Sequence, residues 1–267
     1  MDIPRDKDYF EEYLDRFPNS PSLVLVRSVE LKNFPQKFIA PPVLDLCCGD
    51  GLFAEILGLT DAYGCDIDEY ALNKAKERAS VYKDVKLCDA RNLNEFRSNF
   101  FNTVISNCAL EHVDGIEDAL KSVSRVLKDK GKLIMTVPSK NLNRWFPGSN
   151  EKLLRYNSRQ IHINVFSLEE WKEMLEKSNF KIIESYYLFN ETSYKTAIFW
   201  DALPELLGPF FKLYYIIYYW TTKFMPKQFK KLIFRYFLKQ YYIESIPLYE
   251  NGGELVIIAE CIKSDAE

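Results

Sequence analysis

Between Val43 and Pro138 the chain alternates short apolar runs with segments of helical period, and this alternation constrains the fold more than any other feature. The apolar runs read "PVLDLCC", "AYGCDI", "VKLCDA", "FNTVISNCAL" and "KLIMTVP". Continuous apolar strands that alternate with helices predict a parallel sheet covered by helices on both faces. Ligands of such sheets bind beyond the carboxyl ends of the strands, so the residues at those ends become the candidate site.

Two further strands, "KIIESYYLF" and "GELVIIAECI", follow this region. The sequence therefore predicts an α/β fold with a Rossmann-like, doubly wound, seven-stranded and mostly parallel sheet, and with a helical insertion before the last strand. The expected division of the chain is an N-terminal helical lid (1–40), a core (41–189 and 253–267) and an aromatic, basic insertion (190–252).

Several residues predict where helices begin and end. Asp68 is placed to cap the helix after the second strand, and Ser167 with Glu170 forms a capping-box pattern. Gly131 in "KDKGK" is expected to end the preceding helix in the left-handed conformation. The polar and aromatic stretch 139–166 is expected to be a loop.

Composition excludes several classes of function. The formal net charge is −3, which argues against a nucleic-acid partner. None of the six cysteines forms a C-x-x-C pair or has zinc-ligand spacing, so we expect reduced, buried thiols in a cytoplasmic protein and no metal site. The charged N-terminus has no apolar stretch of the kind found in signal peptides.

The first predicted strand ends in a glycine loop. Gly49, Gly51 and Ala54 satisfy G-x-G-x-x-A, a pattern that serves any cofactor whose adenosine lies across the strand end. Asp45 lies four residues before Gly49. A carboxylate there would repel a pyrophosphate and can receive a cationic group. The alternative is a buried aspartate bonded to the loop amides.

Two more carboxylates end the next two strands. Asp66 ends the second strand, where a carboxylate can accept hydrogen bonds from both hydroxyls of a ribose. Asp89 ends the third strand, where it can accept from an adenine amino group while the N–H of Ala90 bonds a ring nitrogen. The alternative for Asp89 is a helix cap or a salt bridge with Arg91.

These segments together resemble class I S-adenosylmethionine-dependent methyltransferases, most closely the group called methyltransferase type 11. The resemblance covers about 20–138 well and continues weakly to the last strand. It rests on "VLDLCCGDG", "GCDID", "LCDA", "FNTVISNCALEHV" and "ALKSVSRVLKDKGKLIMTVPS" in the family's order and spacing. One residue departs from the pattern, because Cys47 stands where the family usually has glycine.

The resemblance implies S-adenosyl-L-methionine as cofactor and assigns a role to each matching position. The implied contacts are methionine (Asp45, Gly49, Gly51), ribose (Asp66), adenine (Ile67, Asp89, Ala90) and the sulfonium side (Asn107, Cys108, Ala109).

A methyl transfer to oxygen usually needs a base, and the chain has only two histidines, His112 and His162. His112 follows the fourth strand, and His162 lies in "RQIHINVF". Both are candidate catalytic residues, and the alternatives are a turn-forming and a packed or solvated histidine. Trp145, Tyr156 and Arg159 are candidates for the wall of the acceptor pocket.

The insertion is unusual in composition. Residues 209–243 hold fourteen aromatics, seven Lys or Arg, and no Asp or Glu. Helical spacing places an apolar set on one face and a basic set on another (Phe229, Leu232, Ile233, Tyr236, Phe237; Lys231, Arg235, Lys239). Three interpretations stay open: peripheral contact with a membrane, a cap whose apolar side packs on the domain while its lysines are solvated, and a dimer interface.

The sequence thus predicts an S-adenosylmethionine-dependent methyltransferase that acts on a small-molecule acceptor, with a hydrophobic or lipid-linked acceptor suggested by the insertion. We expect a cytoplasmic enzyme. The insertion suggests an alternative, in which the enzyme is attached peripherally to the inner face of the membrane. The alternatives are a non-catalytic adaptor that binds an adenosine cofactor and an NAD-dependent oxidoreductase, against which Asp45 and Asp89 argue.

Overall fold

The computed structural model describes residues 7–263, and at 217 and 219–222 it describes the backbone alone. The chain forms two compact units. The first, here called the sheet unit, comprises Phe34–Lys140, Ile163–Tyr187 and the chain from Glu254 onward. The second, the helical unit, comprises the chain up to Asn33 together with Asn141–His162 and Leu188–Gly253. It therefore includes 141–162, a stretch that the sequence-based division assigned to the core.

Seven strands form one sheet in the order β3-β2-β1-β4-β5-β7-β6. The neighbours from β3 to β5 pair in parallel, and β7 runs antiparallel to β5. The predicted α/β class and seven-stranded sheet are confirmed. The strands are β1 (Val43–Leu46), β2 (Ala62–Asp66), β3 (Tyr82–Leu87), β4 (Phe101–Asn107), β5 (Leu127–Pro138), β6 (Phe180–Leu188) and β7 (Glu254–Cys261).

Twelve α-helices lie within the described residues. In chain order they are α1 (Tyr9–Arg16), α2 (Pro21–Lys32), α3 (Leu52–Leu57), α4 (Glu69–Lys76), α5 (Ile116–Val126), α6 (Asn141–Trp145), α7 (Asn150–Gln160), α8 (Leu168–Lys177), α9 (Glu191–Asp201), α10 (Leu203–Leu207), α11 (Phe211–Phe224) and α12 (Lys227–Ile243).

The core of the sheet unit joins the strands to the helices around them. Buried side chains of β1, β4, β5 and β7 form one cluster with the apolar stripe of α5 and with Trp171 and Leu175 of α8. The predicted caps hold these helices in place: Asp68 accepts from two N–H groups at the start of α4, and Ser167 with Glu170 closes a full capping box on α8.

Two local predictions are wrong. Gly131 does not end α5 in the left-handed conformation: the helix ends at Val126 and is followed by an extended Leu127, and the left-handed residue of this stretch is Lys130, with φ +59°. Gly131 is needed for space instead, because a Cβ there would lie 2.9 Å from the Lys128 carbonyl oxygen. The stretch 139–166, expected to be a loop, contains α6 and α7, and Ser149 caps α7 through the Lys152 N–H.

Helix α12 packs on α1 and α2 within the helical unit. Its buried apolar side chains are Phe234, Leu238 and Tyr242. One of the three open interpretations, a cap whose apolar side packs on the domain while its lysines are solvated, does not describe this helix. Lys231, Arg235 and Lys239 lie toward α1 and form ion pairs with its acidic residues.

None of the helices in the described part of the chain is long and apolar enough to cross a membrane.

Candidate active site

The glycine loop after β1 turns sharply through repeated left-handed residues. Cys47, Gly49 and Gly51 have φ of +56°, +54° and +75°, and the Gly51 N–H donates to the Cys48 carbonyl at 2.9 Å. A left-handed conformation is unfavourable by about 1–2 kcal/mol for a residue with a Cβ. Cys47, the one departure from the family pattern, therefore occupies a position whose backbone favours glycine.

Asp45 is buried on β1, directly below this loop. The Tyr82 hydroxyl donates to its Oδ2 at 2.5 Å. Burial raises the pKa of Asp45 to about 7, and the nearby charge of Asp66 adds to the rise while the Tyr82 hydrogen bond opposes it. A carboxyl group with this pKa changes its charge near neutral pH and gains much from a cationic partner.

Tyr82 is a residue of the site that the sequence analysis missed. It begins β3, and its ring lies against two glycines: a Cβ on Gly51 would be 2.5 Å from Cε2, and one on Gly64 would be 3.1 Å from Cε1. No motif marks such a tyrosine. Gly64, a glycine inside a predicted strand, is the one clue that another group approaches the backbone there.

Asp66 ties the end of β2 to the glycine loop. Its Oδ2 accepts from the Gly49 N–H at 2.8 Å, and its Oδ1 accepts from the Asp68 N–H at 2.9 Å. The next residue, Ile67, is apolar and yet 71% exposed. No heavy atom lies within 4 Å of a Cβ built on Gly49. This edge of the sheet thus combines a fixed carboxylate, an exposed apolar side chain and open space beside the loop.

Asp89 follows β3, and its carboxylate pairs with Arg91. The Arg91 Nη2 donates to Asp89 Oδ2 at 2.6 Å, and this hydrogen bond lowers the pKa of Asp89. The salt bridge is the alternative that the sequence left open for this residue. Ala90, between the two, is buried.

Asn107 and Cys108 lie where β4 ends beside β5. The Thr136 hydroxyl donates to Asn107 Oδ1 at 3.1 Å, and the Cys108 N–H donates to the Thr136 carbonyl at 2.9 Å. Cys108 has a left-handed φ of +46°. Thr136 thus fixes the turn that follows β4.

The turn that carries His112 is held by the segment after His162. Asn164, which is buried, donates to the carbonyls of Leu110 and Val113 at 2.8 and 2.7 Å. The His112 Nε2 lies 3.6 Å from Glu111 Oε1. Asn164 could not be identified from the sequence, because a single asparagine in a polar stretch carries no pattern.

His162 belongs to the helical unit, whereas His112 belongs to the sheet unit. The His162 Nδ1 lies 3.2 Å from Asn157 Oδ1, and its ring meets that of Tyr156 edge-on. The Tyr156 hydroxyl donates to Asp201 at 2.8 Å.

A cavity of about 270 Å³ lies within the helical unit. Arg159 and Asp201 form a polar side of this cavity. Arg159 donates to Glu205 at 2.7 Å. Of the three residues expected to line the acceptor pocket, Arg159 lines this cavity, whereas Trp145 and Tyr156 do not. Trp145 packs against Tyr194. The rest of the lining is mainly aromatic and apolar (Pro21, Trp200, Leu203, Pro204, Phe211, Tyr214, Tyr215, Tyr218).

The paired cysteines of the loop are neutral thiols. Burial raises the pKa of both Cys47 and Cys48, and the charges of Asp45 and Asp66 raise it further. A thiol must lose its proton to act as a nucleophile or metal ligand, so these two cysteines behave as packing residues.

Comparison with known proteins decides the family. A family model described as a methyltransferase domain matches residues 10–185. The chain belongs to this family. It is an S-adenosylmethionine-dependent methyltransferase, and S-adenosyl-L-methionine is its cofactor.

Relatives of this methyltransferase span several organisms. An uncharacterised protein of Methanocaldococcus jannaschii is 29% identical over 238 residues, which is 84% of this chain and 92% of that protein. A demethylmenaquinone methyltransferase of Leptospira interrogans is 33% identical over 130 residues, 45% of this chain and 51% of that protein.

Among solved structures, the methyltransferase fold is shared with a Thermotoga maritima protein. That protein is described as an S-adenosylmethionine-dependent methyltransferase and possible histamine N-methyltransferase. The TM-score is 0.57 at 18% identity, and the match covers 96% of both chains.

The residues at the strand ends fit the cofactor of this methyltransferase family. The open side of Gly49 leaves room for a ligand against the loop backbone. The exposed Ile67 offers an apolar surface to an aromatic base, and the buried Asp45 gains a charge partner if a cationic group binds.

Proposed function

We propose that this methyltransferase transfers its methyl group to an apolar small-molecule or lipid-linked acceptor whose apolar part is held in the aromatic cavity of the helical unit. The cavity carries the proposal. Its volume of about 270 Å³ approaches the size of ordinary small-molecule sites. Rings of Trp200, Phe211 and Tyr214 supply its apolar wall, and Arg159 and Asp201 supply a polar side that can orient a ligand.

The relatives add support for this acceptor class. The chain spans about half the length of the demethylmenaquinone methyltransferase that it matches, and the name of that protein states a quinone acceptor. An aromatic-walled cavity suits a quinone-like ring, because flat rings pack well against the faces and edges of aromatic side chains.

The residues proposed to bind the cofactor lie at the carboxyl ends of β1 to β4. When bound, S-adenosyl-L-methionine supplies an activated methyl group. Asp45, Gly49 and Gly51 would hold its methionine part, and Asp66 would accept from its ribose hydroxyls. Adenine and sulfonium contacts would come from the following residues (Ile67, Asp89, Ala90 and Asn107).

A proton acceptor is needed if the acceptor atom is oxygen. His112 and His162 are the proposed candidates, and Asn164 is a positioning residue for His112 because it fixes the turn on both sides of that histidine. Replacing each histidine by Gln in turn distinguishes the two candidates, since loss of the base lowers kcat with little change in cofactor affinity.

Labelled cofactor tests the acceptor class. The full chain is incubated with S-adenosylmethionine labelled in the methyl group and with cell extracts split into organic-soluble and aqueous fractions. We expect label in an organic-soluble product. Trp200→Ala should lower kcat/KM for that acceptor about tenfold or more, which is about 1.4 kcal/mol or more, and should leave cofactor affinity unchanged.

Leu154→Ala is the control, since Leu154 is an exposed apolar residue of the helical unit and does not line the cavity. It should leave kcat/KM near the wild-type value. Label found only in aqueous products would overturn the apolar acceptor. Equal effects of the two substitutions would remove the cavity from the proposal.

A further inference from the structure

The outward face of α12 is apolar and exposed. Exposed fractions along it run from 52% at Phe229 to 79% at Tyr236. At 100° per residue these side chains fall within an arc of roughly 140° on one side of the helix. The exposed apolar set is Phe229, Leu232, Tyr236, Phe237 and Ile243. Large apolar side chains grouped in this way on a surface mark an interaction site.

Polar contacts fix this orientation along the helix. Lys231 pairs with Asp15 at 2.5 Å, Arg235 with Glu11 at 2.6 Å, and Lys239 with Asp8 at 2.8 Å. Rotation that buried the aromatic residues would break all three pairs.

The C-terminal end of α12 is held as well. The Lys32 ammonium donates to the carbonyls of Tyr242 and Ile243, both at 2.8 Å, and the Tyr242 hydroxyl accepts from the Tyr9 N–H at 3.2 Å. These contacts fix α12 so that its outward apolar face points away from α1 and α2.

Helix α11 repeats the arrangement. Its inner side chains Phe211, Tyr214 and Tyr218 line the cavity, while Leu213 and Ile216 are exposed. The Tyr218 hydroxyl and the Lys230 ammonium both donate to Asn19, to its carbonyl and its side-chain oxygen, each at 3.2 Å. Asn19 thus ties α11 and α12 to the same point between α1 and α2.

The positive charge of α11 and α12 indicates which kind of partner fits their outward faces. Residues 209–243 carry seven Lys or Arg and no Asp or Glu. Three of the seven are the cations paired with α1, so they serve the fold. Lys212 and Lys227 are exposed near the N-terminal ends of α11 and α12. Two copies of this surface would bring like charges together, whereas an anionic lipid surface attracts both the lysines and the apolar side chains.

We propose that the outward faces of α11 and α12 dock the protein on an anionic lipid bilayer, with both helices lying in the plane of the interface. No described helix is long and apolar enough to cross a membrane, so the attachment is peripheral. This inference does not depend on the acceptor, and it needs no methyl transfer.

Vesicle flotation with the full chain tests it. The vesicles contain either phosphatidylglycerol with phosphatidylcholine or phosphatidylcholine alone. Wild type should float with the anionic vesicles and bind the neutral ones at least tenfold more weakly, and added salt should weaken binding. The triple substitution Leu232→Ser, Tyr236→Ser, Phe237→Ser should lower binding about tenfold or more, and Lys212→Glu with Lys227→Glu should lower it in the same direction.

The matched control is Leu154→Ser with Ile183→Ser, which removes exposed apolar side chains elsewhere on the chain. This control should float like wild type. Binding of S-adenosylhomocysteine and the melting temperature report whether each variant is folded, so loss of cofactor binding is read separately from loss of vesicle binding.

Vesicle binding by the triple variant equal to wild type would overturn the proposal. So would equal wild-type binding to neutral and anionic vesicles. A third result would also overturn it: sedimentation shows a dimeric wild type and a monomeric triple variant, and neither protein binds vesicles. The second copy of the chain would then be the occupant of this face.

Discussion

The two units of the protein each hold a carboxylate whose pKa is displaced, and the displacements are opposite. In the sheet unit, burial raises the pKa of Asp45 to about 7. In the helical unit, the Arg235 and Lys239 hydrogen bonds lower the pKa of Glu11 to about 2, although partial burial opposes them. Asp45 meets a tyrosine hydroxyl, whereas Glu11 meets two cations.

This difference separates a binding role from a structural role. The Glu11 carboxylate is satisfied within the fold, so its ionisation stabilises the helical unit. The ionised Asp45 is stabilised poorly by the fold alone and gains a full partner only from a ligand. Titratable groups whose charged form is unfavourable in the folded chain are typical of functional sites, and the open side of Gly49 lies on the loop that follows Asp45.

Asp45→Asn is expected to give the largest effects and to test the comparison directly. Because the folded pKa lies above the unfolded value, the native state binds more protons between pH 4 and 7, and the wild type loses stability as pH rises through that window. The variant should be more stable by roughly 4 kcal/mol at pH 8, with the difference closing toward pH 4. Urea unfolding at pH 4, 6 and 8 measures this.

The same variant should bind S-adenosylmethionine about a hundredfold more weakly, since a buried charged hydrogen bond contributes roughly 1.5–3 kcal/mol. Calorimetry measures the affinity. Asp118→Asn, an exposed carboxylate of the sheet unit, is the control and should change neither quantity. A pH-independent stability difference for Asp45→Asn would contradict the raised pKa, and an unchanged cofactor affinity would contradict the binding role.

Gly51→Ala is expected to give the next largest effect. The new Cβ would take φ +75° and lie 2.5 Å from the Tyr82 ring. We expect a loss of about 2–3 kcal/mol in the free energy of unfolding, from backbone strain and overpacking together. Gly58→Ala is the control, because φ is +85° there with open space around the Cβ, and it should lose only about 1–2 kcal/mol. Equal losses would mean that Tyr82 moves freely and does not shape the loop.

Glu11→Gln is expected to give the smallest effect, with the opposite sign to Asp45→Asn. The folded pKa is depressed, so the stabilisation is present above the unfolded pKa of about 4.5 and is lost as pH falls toward 2. After allowance for partial solvent exposure, we expect a loss of about 1 kcal/mol at pH 7, seen as faster hydrogen exchange in α12. Glu12→Gln, which removes an exposed i,i+4 pair with Arg16, should lose about 0.5 kcal/mol or less. If the two variants exchange alike, the ion pairs of Glu11 do not hold α12.

The strand ends of the sheet unit could be predicted from the sequence because local pattern and position coincide there. Apolar runs define the strands, and the residues that end them, Asp66 and Asp89 among them, follow directly. Tyr82 could not be predicted as a partner of Asp45. The two residues are 37 positions apart, and only the pairing of β1, β2 and β3 brings them together.

For the insertion, the sequence by itself determined that α12 has an apolar and a basic face, because helical period alone sets which side chains share a side. Tertiary structure alone decided which face points inward. The acidic residues Asp8, Glu11 and Asp15 of α1 lie more than 200 positions earlier in the chain. Their negative charge pairs with the lysines and the arginine of α12 and leaves the apolar face of the helix exposed. A local sequence pattern cannot predict this, because the charge partners lie far apart along the chain.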